Sequence, residues 1–297
     1  MKKWCLFLSL YFCACLLAAC AGSDVSAGGE PAPGGTPSEA PLTGGETTEP
    51  GLVTETFRLV TTGDGGQPAI LAKSDGTAGD VYTLDIFSVE DVTLEGISQE
   101  EMALLDWAPR AGALVEVTWD GTVMESYPAQ FGAVDSVRIL EDGFDDLCRL
   151  YLDVLNDLWE VDPGLNEGIT ELGVDLSETS LSESERSAVA YAFGMDHGLM
   201  PVEGTYQELV DQGYIDGENL FWEDGCLFSI KETQDQDPVV FSLPSFGPGD
   251  EMPDYNGVRF NAEKWRSGTG AYFFSGCTAV STDGQWGDYT VGAEAIS

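Results

Sequence analysis

From residue 51 onward, apolar and polar positions alternate in short runs, which is the period of β-strands. Thr56-Phe57-Arg58-Leu59-Val60, Ala69-Ile70-Leu71-Ala72 and Tyr82-Thr83-Leu84-Asp85-Ile86-Phe87 have this texture. Gly63-Asp64-Gly65-Gly66 separates the first two as a turn. Leu114-Val115-Glu116-Val117-Thr118-Trp119 alternates strictly and runs into Asp120-Gly121, the strongest short hairpin signal in the chain. Ser136-Val137-Arg138-Ile139-Leu140 closes the unit. One helix is predicted within it, with Ser98 as N-cap, Glu101 at the capping-box position and an end at Leu105. About five short strands over residues 51–141 predict a small β-barrel, which avoids open edges by closing on itself.

The period then changes. Phe144, Leu147, Cys148, Tyr151, Leu155 and Leu158 recur at three- and four-residue spacing, so a helix with one core-directed face is predicted, ending at Pro163-Gly164. Residues 180–183 lead into a second helix over 184–193, with Gly194 to Gly198 as its stop. Thr205 caps a third, short helix that reaches Gln212. Strands are predicted over 226–233, 239–243, 270–281 and 288–296, with a turn at Asp283-Gly284. Helices first and an antiparallel meander afterwards predict an α+β domain over residues 142–297. A curved sheet wrapping one long helix, in the manner of cystatin-like or nuclear-transport-factor-like cone folds, is the specific expectation.

The N-terminus has another character. Lys2 and Lys3 precede an apolar run from Trp4 to Ala19 broken only by Ser9, the layout of a secretory signal peptide over residues 1–19. This run is shorter than the ~20 residues of a spanning helix. It closes on Leu17-Ala18-Ala19-Cys20, which resembles the lipobox of bacterial lipoproteins. That resemblance implies a diacylated Cys20 as the new N-terminus and a protein held on the extracytoplasmic face of the cell membrane. Residues 21–50 are almost exclusively Gly, Pro, Ser, Thr, Ala and Glu. Such a segment buries too little apolar surface to order itself, so 20–50 reads as a lipidated tether with a reach of roughly 30 Å.

Within the first unit, Val115-Glu116-Val117-Thr118-Trp119-Asp120-Gly121-Thr122-Val123-Met124-Glu125-Ser126-Tyr127-Pro128-Ala129-Gln130 is similar to the end of an OB-like barrel family. The family occurs in small secreted proteins and lipoproteins of Gram-positive bacteria. The resemblance covers residues 54–140 and brings no activity with it. Glu125, Ser126, Tyr127 and Gln130 are candidates for a polar binding patch at the barrel rim. The alternative is that Tyr127-Pro128 serves the chain turn, because proline restricts its own backbone and that of its predecessor.

Charge narrows the partners. Twelve basic residues stand against 52 acidic ones, a formal net charge of −40. That field repels nucleic-acid phosphates and anionic headgroups, so nucleic acid is excluded as a partner. A hydrophobic content of 43%, with seven Trp and fourteen Phe, argues for filled cores rather than disorder. No cofactor motif is present, and weak calcium binding is the one cation chemistry the acidity suggests. Asp235, Asp237, Asp250, Glu251 and Asp254 fall in a Pro/Gly-rich excursion over 234–257. Long loops are often functional, which makes Asp250, Glu251 and Asp254 candidates for a cation or partner site. Asp216-Gly217-Glu218-Asn219 reads as a loop and Glu223-Asp224-Gly225 as a hairpin turn, since both lack the EF-hand pattern.

Of seven cysteines, Cys148, Cys226 and Cys277 lie beyond Cys20. Cys226 and Cys277 are the candidate disulfide pair, and three small buried thiols are the alternative. The single histidine, His197, sits at a predicted helix end, and no nucleophile–base set surrounds it. Trp222, Trp265, Tyr272 and Trp286 suit either a sugar platform or core filling. These observations predict a lipid-anchored surface binding protein, with an unidentified protein or glycan as partner. A carboxylate-based glycan hydrolase is the alternative, and a paired carboxylate in an apolar-lined cleft is what would favour it. A substrate-capture lipoprotein of a transporter is weaker, for want of a two-lobed α/β pattern.

Overall fold

Alternation in residues 53–139 produces one curled sheet. In a computed structural model of the chain, residues 51–63, 66–97, 109–233 and 255–297 are described. Eight strands make the first sheet: β1 (Val53–Thr61), β2 (Ala69–Lys73), β3 (Val81–Leu84), β4 (Asp91–Leu94), β5 (Leu114–Trp119), β6 (Val123–Met124), β7 (Ala129–Phe131) and β8 (Val134–Ile139). Their order is β4-β8-β5-β1-β2-β3-β7-β6. Only Gly132 and Ala133 separate β7, which runs parallel to β3, from β8, which pairs antiparallel with β5. The ladder therefore bends back toward β1, and Phe57, Tyr82, Trp119 and Phe131 pack edge-on and stacked inside it, with ring centroids 4.8–6.4 Å apart.

Two expectations for this lobe need correction. The strand over 82–87 stops at Leu84, because Ile86–Ser88 winds into a 3₁₀ turn closed by Ser88 N to Asp85 O at 3.0 Å. Gly121 does take the left-handed conformation, at φ +79°, but β5 pairs with β1 and β8 while β6 pairs with β7. The Asp120-Gly121 turn thus leads the chain away instead of folding it onto β5. The helix predicted over 98–105, and Asp64-Gly65 of the first turn, lie outside the described residues.

The second lobe comprises α1 (Leu147–Glu160), β9 (Glu171–Glu178), α2 (Glu183–His197), β10 (Pro201–Glu203), α3 (Tyr206–Asp211), β11 (Gly225–Glu232), β12 (Tyr255–Ser267), β13 (Gly270–Thr282), β14 (Gln285–Trp286) and β15 (Ala293–Ile296). α1 buries the predicted stripe, including Cys148, Tyr151, Leu155 and Leu158. α2 begins at a capping box in which Ser182 Oγ accepts from Glu185 N at 3.3 Å and Glu185 Oε2 accepts from Ser182 N at 2.9 Å. It runs past Gly194 to His197, since one helical glycine costs only about 1 kcal/mol and Phe193 beside it is fully buried. Thr205 caps α3 in the same way.

The sheet order is β10-β9-β11-β12-β13-β14, with β15 on β13. The meander β11–β14 is antiparallel as expected, but β9 pairs parallel with both β10 and β11. Helices followed by a purely antiparallel meander is therefore corrected to a mixed sheet, with β9 inserted between α1 and α2. β12 is an addition, and the strand predicted over 288–296 is reduced to β15, preceded by a bridge of Thr290 to Thr278. The predicted strand 239–243 lies outside the described residues. Glu223-Asp224-Gly225 is not a hairpin turn: Asp224 O accepts from Thr170 N and Glu171 N and starts β11 alongside β9.

Both lobes contribute to one apolar cluster. Val60, Ile70, Ala72 and Val81 on the outer face of β1–β3 join the helices and the inner face of the second sheet. Small residues of α2, among them Ser184, Ala188 and Ala192, let the helix lie close, and Ser184 Oγ donates to Lys73 O at 2.7 Å. Arg58 ties the seam, donating to Glu185 Oε1 at 3.3 Å and to Gly112 O at 2.8 Å.

Candidate functional site

The rim residues singled out in the sequence do not converge. Ser126 Oγ donates to Pro128 O at 2.7 Å within its own turn, across a cis Tyr127-Pro128 peptide. Tyr127 turns toward α2 instead, its ring 5.8 Å from that of Tyr191 in a T-shaped contact and its hydroxyl 3.5 Å from Glu203 Oε1. Gln130, in β7, lines a separate open depression of the first lobe with Asp85 and Glu90, and Glu125 is exposed. Asp250, Glu251 and Asp254 lie outside the described residues.

The four aromatics considered as a platform are also divided. Trp222 is buried, donating to Glu171 Oε2 at 2.6 Å, and Trp286 is buried against α1, donating to Asp145 Oδ1 at 2.8 Å. Tyr272 packs with the helix-side core and hydrogen-bonds Glu294. Trp222 and Trp265 share a cluster with Leu227 and α3 on the other side of the sheet, and of the four only Trp265 lines the groove there.

That other side carries the site. Strand alternation sends Leu172, Val174, Cys226, Phe228, Phe260 and Ala262 to the helices, so the residues between them face away. Cross-strand register then makes a row: Asp175 of β9 opposite Ser229 of β11, Ser229 opposite Glu263 of β12, and Glu263 opposite Phe273 of β13. In the neighbouring row Leu227 lies opposite Trp265. These residues and Tyr206 line a groove of about 510 Å³. Trp265 and Tyr206 meet edge to face at 5.0 Å. Among the described residues the Tyr206 hydroxyl is buried without a hydrogen-bond partner, a donor facing unfilled demand.

The two carboxyl groups have different surroundings. Burial pushes Glu263 above the ordinary glutamate range, by withholding the water that favours its charged form. Asp175 Oδ1 accepts from Ser177 N at 3.0 Å and Ser177 Oγ at 2.6 Å. At the rim, Lys231 and Glu178 form an exposed ion pair. The groove thus combines an aromatic wall, hydroxyl and carboxamide groups and two unlike carboxyl groups on one face. Chain position hides this: the four row residues are spread from 175 to 273, and only the register unites them. The signal available in the sequence was the polar set Arg259, Asn261 and Glu263 alternating with Val258, Phe260 and Ala262.

Thiol and imidazole chemistry is held apart. Cys148, Cys226 and Cys277 are all free and buried, and β12 lies between the strands carrying the last two, so the candidate Cys226–Cys277 disulfide is not formed. Burial raises the Cys226 thiol to about 12 and the Cys277 thiol to about 11, far from a reactive thiolate. His197 stacks on Trp159 at 3.8 Å and its Nε2 meets Asn156 Oδ1 at 2.9 Å. Cys148 lies two turns from Asn156 along α1, so it and His197 make no catalytic pair. Among the described residues, no group of three or more His, Cys, Asp or Glu is arranged to hold a metal ion, and no helix is long and apolar enough to cross a membrane.

No protein-family model, curated protein or solved structure matches this chain.

Proposed function

We propose that this protein is a lipid-anchored binding protein of the extracytoplasmic membrane face that takes a saccharide in the groove on the face of its second sheet turned away from α1 and α2. The observation that carries this reading is Trp265, Tyr206 and Phe273 beside Asp175, Ser229 and Glu263 in one groove. Sugar rings offer apolar C–H faces and a rim of hydroxyl groups, so they need aromatic surface next to fixed acceptors and donors. A net charge of −40 opposes anionic ligands and favours a neutral glycan over nucleic acid. The first lobe is read as an OB-like barrel, supported by the order in which β1, β2, β3, β7–β8 and β5 pair. Its outer β1–β3 face is covered by α2, so the barrel acts as a scaffold for the second lobe. The cone-fold assignment of that lobe is supported only by its curved sheet around α1. Cys20, at the end of the lipobox-like run, supplies the anchor, and the Gly/Pro-rich segment after it supplies the reach.

Calorimetric titration of the full-length protein with chitotetraose, cellotetraose, maltotetraose and xylotetraose tests the ligand class. Binding of at least one is expected, weakened tenfold or more by Trp265→Ala, a change of about 1.4 kcal/mol. Equal affinity in the variant, or no binding across the panel, rejects the reading. Fractionation of cells expressing Cys20→Ser tests the address: the protein is expected to leave the membrane fraction, and full retention there rejects lipid anchoring.

A further inference from the structure

Resting on the saccharide reading of this groove, we propose that Glu263 and Asp175 hydrolyse a glycosidic bond with inversion at the anomeric carbon, Glu263 as general acid and Asp175 as general base. Both residues face the groove and both lie opposite Ser229, from the strands on either side of it. Neighbouring strands are ~4.8 Å apart, so two strand spacings, about 9.6 Å, separate their backbones. Side chains that lean toward Ser229 from that span suit the about 6.5–9.5 Å between carboxyl groups of an inverting glycosidase better than the about 5–5.5 Å of a retaining one. A three-strand row with the small Ser229 at its centre leaves that room, and a bulky residue there would fill it.

The environments sort the roles. Glu263 is flanked by Phe273 across the strand pair and by Trp265 two residues along. Loss of water there favours the protonated acid. Asp175 sits nearer the sheet edge, with Ser177 N and Oγ bonded to one oxygen, which orients the second oxygen as an acceptor. In the reaction, Glu263 delivers its proton to the glycosidic oxygen as the bond from the anomeric carbon to that oxygen breaks. Asp175 takes a proton from water as the water oxygen bonds to the anomeric carbon from the opposite face. One water is consumed, no electrons are exchanged, and the two carboxyl groups return to their starting states by proton exchange with solvent.

The test incubates the full-length protein with the same four tetrasaccharides and follows the anomeric proton signals by NMR, with the titrations run in parallel. Turnover of a bound tetrasaccharide is expected, with the inverted anomer appearing first. Glu263→Gln and Asp175→Asn, both near-isosteric, are expected to lower kcat about a hundredfold or more each while retaining binding and the thermal midpoint. Binding without turnover overturns the hydrolysis and leaves the binding reading standing. Turnover that survives both substitutions, or a first product of retained configuration, overturns the assigned roles. Absence of binding overturns this inference together with the reading beneath it.

Discussion

Lys264 Nζ donates to Asn166 Oδ1 at 2.8 Å inside the molecule, where the lysine side chain is fully buried. The same ammonium donates to Trp159 O and Asp162 O at 3.2 Å and to Val161 O. These are the carbonyls at and just beyond the C-terminus of α1, which have no partners within the helix and carry its negative dipole end. A cation reaching in from β12 therefore closes the helix from across the core.

Replacing Lys264 by Met keeps the apolar stem and removes the cap. Several buried acceptors then lose their donor, at about 1–3 kcal/mol for each that stays unsatisfied. Urea unfolding should show a loss of about 3 kcal/mol, and an unchanged midpoint would falsify the capping role.

The turn joining β13 to β14 is held against the start of α1. Gly284 has φ +75°, and a Cβ there would lie 1.8 Å from Phe144 O. Gly284 O also accepts from Asp146 N at 3.0 Å, while Asp146 Oδ1 accepts from Trp286 N at 2.6 Å. Gly198, at the end of α2, has φ +69° but open space around it. Gly198→Ala should cost about 1 kcal/mol, the left-handed backbone penalty alone. Gly284→Ala adds a backbone clash and should cost well over 2 kcal/mol. Comparable thermal midpoints for the two variants would show that the Phe144 contact is not rigid.

Acidification should act through His197. Burial against Trp159 and Phe193 lowers its pKa below the ordinary value of 6.5, outweighing the opposite pull of Asp196 and Glu160. The unfolded chain then binds the proton more readily than the folded one. Its contribution to stability is full above about pH 6.5 and is lost as pH falls from there through the folded-state value. Denaturant unfolding at pH 7.5 and pH 5 should show a larger acid loss for the native sequence than for His197→Gln. Identical losses would assign the pH dependence to the carboxylates instead.

How far the chain reveals itself depends on the range of the interactions involved. Phe144 to Leu158 advertised α1 because helical spacing is a local property, and Thr205 with Glu208 advertised α3 for the same reason. β9 was missed although Glu171-Leu172-Gly173-Val174-Asp175-Leu176 alternates cleanly, because its parallel partners lie far along the chain. β12 was hidden by Lys264, a charged residue at an inward position, which interrupts the alternation that marks a strand. Its ammonium is acceptable there only because the end of α1 supplies the carbonyls.

Taken alone, the sequence determined local structure and composition: the turn at Asp283-Gly284, the cap at Thr205 and the acidity. It also set which residues alternate, and so which share a strand face. Tertiary structure decided which strands lie side by side, and with that which faces of different strands combine. Asp175, Ser229, Glu263 and Phe273 become neighbours through hydrogen-bond register between distant segments, and that register is fixed by the packing of both lobes around α1 and α2 rather than by any short stretch of chain.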